Sequence, residues 1–245
     1  MQIFAPLANR SLLSKSVEDA VEQAIQQKKI KAGTRLPSEL EMCEQFGVSR
    51  TVVREALRVL NSRGLITIIK GKGMFVKEIS GQSAVDPLHF YLQMNFERSY
   101  VMDIVHARQI LEPAVVELAS RHRTVEDVNR LLGDIELLRG CAGDFRELSR
   151  IDTQFHIDIA KASGNSLMPL LLEPIHRLVP DIKSTVYATV NDAKESALIW
   201  HKKIFDEIAS GNGQRARDAM VEHLRIAEEH AERMLTVSVT TNPGD

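Results

Sequence analysis

The chain has 245 residues, 44% hydrophobic and 26% charged, a composition that suits a soluble globular protein and, at this length, two domains rather than one. Its formal net charge of −2 hides an asymmetry: residues 1–78 carry 13 Lys/Arg against 8 Asp/Glu, net +5, and residues 79–245 carry 18 against 25, net −7. Cys43 and Cys141 lie far from any C-x-x-C spacing, and no apolar run approaches the roughly 18–20 residues of a membrane span, so a disulfide framework, a thiolate metal site and a membrane anchor are excluded and a cytoplasmic location is expected.

Ser16 to Gln27 carries apolar residues at helical spacing (Val17, Ala20, Val21, Ala24, Ile25), which predicts a first helix. After the breaks at Gly33 and Pro37, Ser38-Glu39-Leu40-Glu41 reads as a capping box that opens a short helix burying Met42, Cys43 and Phe46. Gly47 suits the sharp turn that ends it, and Ser49 caps a third helix. There Val53, Ala56, Leu57 and Leu60 form one stripe, while Arg50, Arg54 and Arg58 stand four residues apart on the opposite face. Leu65–Ile69 and Met74–Val76 are short β-prone runs around Lys70-Gly71-Lys72-Gly73, a hairpin with a basic tip.

The small, polar stretch 79–86 followed by Pro87 reads as a linker. Beyond it the pattern is helical, over about 88–95, 98–121, 125–140, 144–163, 166–190, 193–210 and 213–235, with a frayed end. The expected fold is therefore mainly α: a winged helix-turn-helix of three helices and a β-hairpin wing over 1–78, a linker over 79–87, an all-α helical bundle over 88–236, and a flexible tail over 237–245.

Two short helices joined through a glycine, the second presenting Ser49, Arg50, Thr51 and Arg54 from its first turns, form the arrangement by which a helix enters the major groove. Arginine forks can grip guanine edges, whereas hydroxyls and helix N-terminal amides hold phosphates. Lys70 and Lys72 at the hairpin tip would reach the neighbouring minor groove or backbone. The candidate contacts to double-stranded operator DNA are Arg35, Ser38, Ser49, Arg50, Thr51, Arg54, Lys70, Gly71 and Lys72.

The stretches Ile30–Glu39, Phe46–Leu60 and Gly71–Val76 resemble the winged-helix domain of the GntR family of bacterial regulators. The resemblance implies that Arg50 and Arg54 read bases, that Ser49 and Thr51 support or contact the backbone, and that Gly71 lets the wing tip approach DNA. Two positions depart from the family pattern: Leu40 stands where an arginine contact to phosphate is often found, and Val52 where proline is common.

In the second half, Asp152 and His156 form an i, i+4 pair beside the apolar stripe of Phe145, Leu148, Phe155 and Ile159. His201 lies three residues after Leu198 and four before Phe205, and His223 four after Ala219 and four before Ala227, so both fall on apolar faces. Burying such groups unpaired costs several kcal/mol, and one divalent ion bound by three His and one Asp would compensate them. Zn, Ni, Mn and Fe all suit that donor set. His89, His106, His122, His176 and His230 have no comparable company and read as surface or structural residues.

Arg108–Ala114, Asp152–Asn165, Trp200–Asn212 and Ala219–Leu224 resemble the C-terminal effector (FCD) domain of the FadR subfamily. The resemblance implies that Asp152, His156, His201 and His223 are metal ligands and that Arg108 holds the carboxylate of a small organic acid, with Asn165 in the same matching stretch a further effector contact. Arg108 shares a stripe with Val101, Val105 and Val115, consistent with an inward guanidinium; a purely structural pair with Glu112 is the alternative. The expected function is a homodimeric transcriptional regulator, a repressor of a catabolic or transport operon released by a small carboxylate, rather than an enzyme. The alternatives are a metal-dependent hydrolase-type enzyme, against which stands the lack of an inward carboxylate clearly placed as a spare general base, and a non-specific architectural DNA-binding protein, against which stands the acidic helical half.

Overall fold

The computed structural model describes residues 10–78, 82–94 and 100–240, with side chains omitted for 10, 11, 82–84 and 237–240. The chain divides into two compact units, Met1–Ser83 and Ala84–Asp245.

The first unit contains α1 (Arg10–Gln26), α2 (Glu39–Phe46), α3 (Arg50–Ser62), β1 (Ile66–Ile69) and β2 (Gly73–Val76). The capping box forms at α2: the Glu41 backbone N–H donates to Ser38 Oγ at 3.3 Å and the Ser38 N–H to Glu41 Oε2 at 2.7 Å. Gly47 then ends the helix in the left-handed region at φ 65°, which a residue without Cβ occupies at no steric cost. Ser49 holds the N-cap position of α3, but its hydroxyl makes no capping bond. The strands pair antiparallel from Ile66↔Val76 to Ile69↔Gly73, closed by a turn in which the Lys72 N–H donates to the Ile69 carbonyl at 3.0 Å with Gly71 at φ 76°. Val17, Val21, Met42, Val53, Leu57, Leu60, Ile66 and Val76 fill one core. Phe46, expected inside, is 37% exposed, because the helix has reached its last residue there and turns toward solvent.

The second unit is helical: α4 (Gln82–Met94), α5 (Tyr100–His122), α6 (Val125–Gly140), α7 (Phe145–Ala162), α8 (Leu167–His176), α9 (Val179–Thr189), α10 (Ala193–Ser210) and α11 (Gly213–Thr240). Three segments differ from expectation. Residues 79–81 of the supposed linker lie outside the described residues, and from Gln82 the chain is already helical, with Pro87 inside the helix and Val85 buried. At the other end α11 continues to Thr240, into the supposed tail, and 241–245 lie outside the described residues. The single helix expected over 166–190 is two, because Pro180 has no N–H to give the His176 carbonyl and its ring would collide with it.

In this bundle α11 packs along α5, α10 lies against α11, and α7 against α6 and α9. One apolar cluster centres on Val116, Leu131, Phe155, Ile204 and Met220, and a second on Val105, Leu138, Ile182, Tyr187 and Ala231. Among the described residues, no helix is long and apolar enough to cross a membrane.

Candidate functional site

The first unit has a concave face between α3 and the wing. Arg35, Ser38, Glu39, Arg54, Lys70 and Lys72 all line it, with Arg58, Gly71 and the backbone of the hairpin. It arises because the apolar stripe of α3 turns Val53, Ala56, Leu57 and Leu60 into the core and so leaves Arg50, Arg54 and Arg58 exposed on the other side. Ser49, Arg50 and Thr51 are exposed at the start of the same helix. Arg35 is held at the hairpin by a bridge to Phe75, and a Cβ on Gly73 would come within 2.8 Å of its Nε, so the arginine lies flat against the wing. One residue escaped the sequence reading: Glu39 accepts from Arg54 Nε at 2.7 Å and fixes the direction of that guanidinium. Leu40 is 51% exposed and has no group to offer a phosphate.

In the second unit six helices converge. α5 supplies Arg108 and Glu112, α7 Asp152 and His156, α9 Lys183 and Tyr187, each pair four residues apart and hence on one helix face, while α8, α10 and α11 supply His176, His201 and His223. All three imidazoles of His156, His201 and His223 are buried, and their donor atoms lie within 4.8 Å of one another. Nε2 of His223 is 3.3 Å from Nε2 of His156, and Asp152 Oδ1 is 3.4 Å from His201 Nε2. Phe155 stacks on His201 at 4.1 Å and sets its plane.

Glu112 organises one side of the cluster. Its Oε2 lies 2.6 Å from His156 Nδ1 and its Oε1 accepts from Arg108 Nε at 2.7 Å. A carboxylate at Nδ1 keeps the proton there and turns the Nε2 lone pair toward the other imidazoles. On the other side Lys183 donates to Asp152 Oδ2 and the Tyr187 hydroxyl to Oδ1 at 3.0 Å.

Burial, only partly offset by Glu112, lowers the His156 imidazole to about 4. Burial, followed by the repulsion between protons on adjacent rings of His201 and His156, holds His223 well below its ordinary value, and burial does the same for His201. Burial alone would raise the Asp152 carboxyl, but Lys183, His201 and His156 together hold it below the usual range. The cluster is thus neutral imidazole and ionised carboxylate near pH 7, the protonation state a divalent cation requires. His201 has both ring nitrogens buried without a hydrogen-bond partner among the described residues, since its approach to Asp152 is off the line of a hydrogen bond. Orphaned buried nitrogens, a lone pair aimed by Glu112 and three imidazole donors fit a transition-metal ion; Asp152, expected as a fourth ligand, lies beside them with its two oxygens engaged by Lys183 and Tyr187.

Several expectations change here. His176, read as surface or structural, is fully buried; it stacks on His156 at 5.5 Å, with Nε2 3.3 Å from Glu112 Oε1. The sequence could have shown this, since His176 stands four residues after the buried Leu172. His230 is buried as well. An inward carboxylate does exist at Glu112, though Arg108 and His156 already engage it. The Arg108–Glu112 pair and the inward guanidinium, weighed as alternatives, are both present. Asn165 is exposed, and its Oδ1 accepts from the Leu167 N–H at 3.0 Å at the start of α8; a short amide that turns back on its own backbone does not reach the cavity. Lys183 and Tyr187 went unnoticed because a continuous 166–190 helix puts them at a different phase from the real α9.

Beside the cluster is a cavity walled by α5, α9, α10 and α11, into which Arg108, Lys183, Tyr187 and His223 face.

Residues 13–76 match the model of the bacterial regulatory proteins of the gntR family, and residues 103–226 that of the FCD domain. The HTH-type transcriptional regulator LutR of Bacillus subtilis (strain 168) is 29% identical over 214 residues, 82% of this chain and 92% of LutR. A protein of Escherichia coli (strain K12) named for regulating an L-lactate dehydrogenase operon is 30% identical over 231 residues, 90% of this chain and 87% of its own length. The structure of a Streptococcus agalactiae GntR superposes with a TM-score of 0.69 at 25% identity, covering 88% of this chain and 99% of that one. The chain therefore belongs to the gntR family of bacterial regulatory proteins and carries an FCD domain, which makes it a transcription regulator and not an enzyme.

Proposed function

We propose that the protein is a cytoplasmic, homodimeric repressor of a catabolic or transport operon, released when a small organic acid binds beside a metal ion in its helical unit. The observation that carries this reading is the placement of two cationic side chains, Arg108 and Lys183, in one cavity at the edge of the three-histidine cluster. His156, His201 and His223, with Asp152, would hold one divalent ion of Zn, Ni, Mn or Fe per chain; when bound, the ion supplies Lewis acidity toward an anionic ligand. Arg108, preset by Glu112, is the carboxylate anchor, a fork geometry that suits two oxygens at once.

On the DNA side, Arg50 and Arg54 read base edges, Ser49 and Thr51 steady the helix on the backbone, and Arg35, Ser38, Lys70, Gly71 and Lys72 contact phosphate or the adjacent minor groove. Two protomers place two such surfaces on a pseudo-palindrome. The effector acts by binding the DNA-free arrangement more tightly than the DNA-bound one, since only differential affinity shifts an equilibrium.

A mobility-shift titration on the DNA upstream of its own gene tests this. A discrete complex, weakened by a small carboxylate in the presence of metal, is expected. Equal affinity for unrelated DNA, or a complex indifferent to every carboxylate tried, refutes it.

A further inference from the structure

The cavity beside the histidine cluster is polar at one end and apolar over the rest of its wall. Among the described residues, its polar lining consists of Arg108, Lys183, Tyr187, Ser196, His223 and His230. Four of these six are drawn to the cluster: Arg108 Nη2 and His223 Nε2 lie 3.4 and 3.3 Å from His156 Nε2, and Lys183 and Tyr187 both donate to Asp152. Only Ser196 and His230 lie elsewhere, His230 seven residues and about 10 Å further along the same helix as His223. The rest of the wall is Ile104, Val105, Val179, Ile182, Val186 and Ile226 with small alanines.

That division constrains the chemistry of an occupant. A carboxylate is well served at the cationic end. Each hydroxyl laid against Val and Ile, by contrast, gives up its water and finds no partner, at a cost of about tenfold in affinity. Each methylene laid there gains about fourfold.

We infer that the effector is a short aliphatic monocarboxylate, and that the wall formed by Ile104, Val105, Ile182 and Val186 rejects polyhydroxylated sugar acids. The inference rests on the reading that this cavity takes a carboxylate beside a metal. It adds that the body of the ligand, not its acid group, sets the choice.

Calorimetric titration of the full-length protein loaded with Zn²⁺ or Ni²⁺ tests it with two probes, 2-hydroxypentanoate and D-ribonate. They share chain length, carboxylate and 2-hydroxyl and differ in three further hydroxyls. Tighter binding of 2-hydroxypentanoate by tenfold or more is expected; a smaller or reversed difference overturns the inference while leaving the metal-carboxylate reading intact. If neither probe binds, nor any other carboxylate, that underlying reading fails, and the inference with it. In Val186→Thr, which keeps the volume and adds a wall hydroxyl, the gap should narrow; an unchanged gap removes the wall from the explanation.

Discussion

Nδ1 of His156 lies 2.6 Å from Oε2 of Glu112, and the same carboxylate receives the guanidinium of Arg108 through its other oxygen at 2.7 Å. One buried glutamate thus sets both an imidazole that faces the cluster and the cation that faces the cavity. Glu112→Gln keeps the shape but removes the charge that orients the imidazole and neutralises Arg108. Outer partners of this kind are worth about 10–100-fold in metal affinity, and an uncompensated buried charge costs about 3 kcal/mol. Competition with a chromophoric chelator and denaturant unfolding should show both losses; wild-type metal affinity would mean that Glu112 serves only Arg108.

Metal removal should be visible as stability. An ion present at 100 times its Kd adds about 2.7 kcal/mol, so a chelator should lower Tm by roughly 5–10 °C. A His201→Ala/His223→Ala double variant should contain no metal by elemental analysis and should not respond to chelator. Metal content equal to that of the wild type would place the ion elsewhere.

The two classes of DNA contact should separate by salt and by sequence. Arg54→Ala is expected to weaken operator binding about 10–100-fold and to relax discrimination between operator and mutated sites. Lys72→Ala should weaken all sequences alike and reduce the slope of log K against log salt by about one. Glu39→Gln, which frees Arg54 from its 2.7 Å ion pair, should erode specificity more than affinity. Footprints of the three variants on one operator fragment distinguish these outcomes.

Asp134 supplies a pH signature apart from the cluster. Burial, and then the neighbouring Asp158, push its carboxyl from 3.8 up to about 7, and its Oδ2 has no hydrogen-bond partner among the described residues. Between those two values the folded chain holds a proton that the unfolded chain has released, so stability falls as pH rises from about 4 to about 7 and the loss is complete above that. Asp134→Asn should flatten this slope and be more stable than wild type at pH 8, on the order of 2 kcal/mol. Parallel pH profiles of Tm for the two proteins would count against the assignment.

Much of this molecule is written locally. The capping box at Ser38, the turn at Gly47, the arginine ridge of α3 and the glycine at the wing tip are each decided within a few residues, and they appear where periodicity and turn chemistry put them. The inward placement of Asp152, His156, His201 and His223 was legible for the same reason, since each sits at helical spacing from apolar neighbours. What periodicity cannot report is which side chain meets which across helices. Glu112 beneath His156, His176 stacked on that ring, Lys183 and Tyr187 on Asp152, and Glu39 on Arg54 join residues 15 to 44 positions apart. The misread 166–190 segment shows the physical reason. Splitting it at Pro180 changes the direction of the second half, and only packing against α7 decides that Lys183 and Tyr187 then face the buried carboxylate. The inward turn of these side chains follows from sequence alone, whereas the groups that meet them across helices, and the apolar wall beside them, exist only once the helices are assembled.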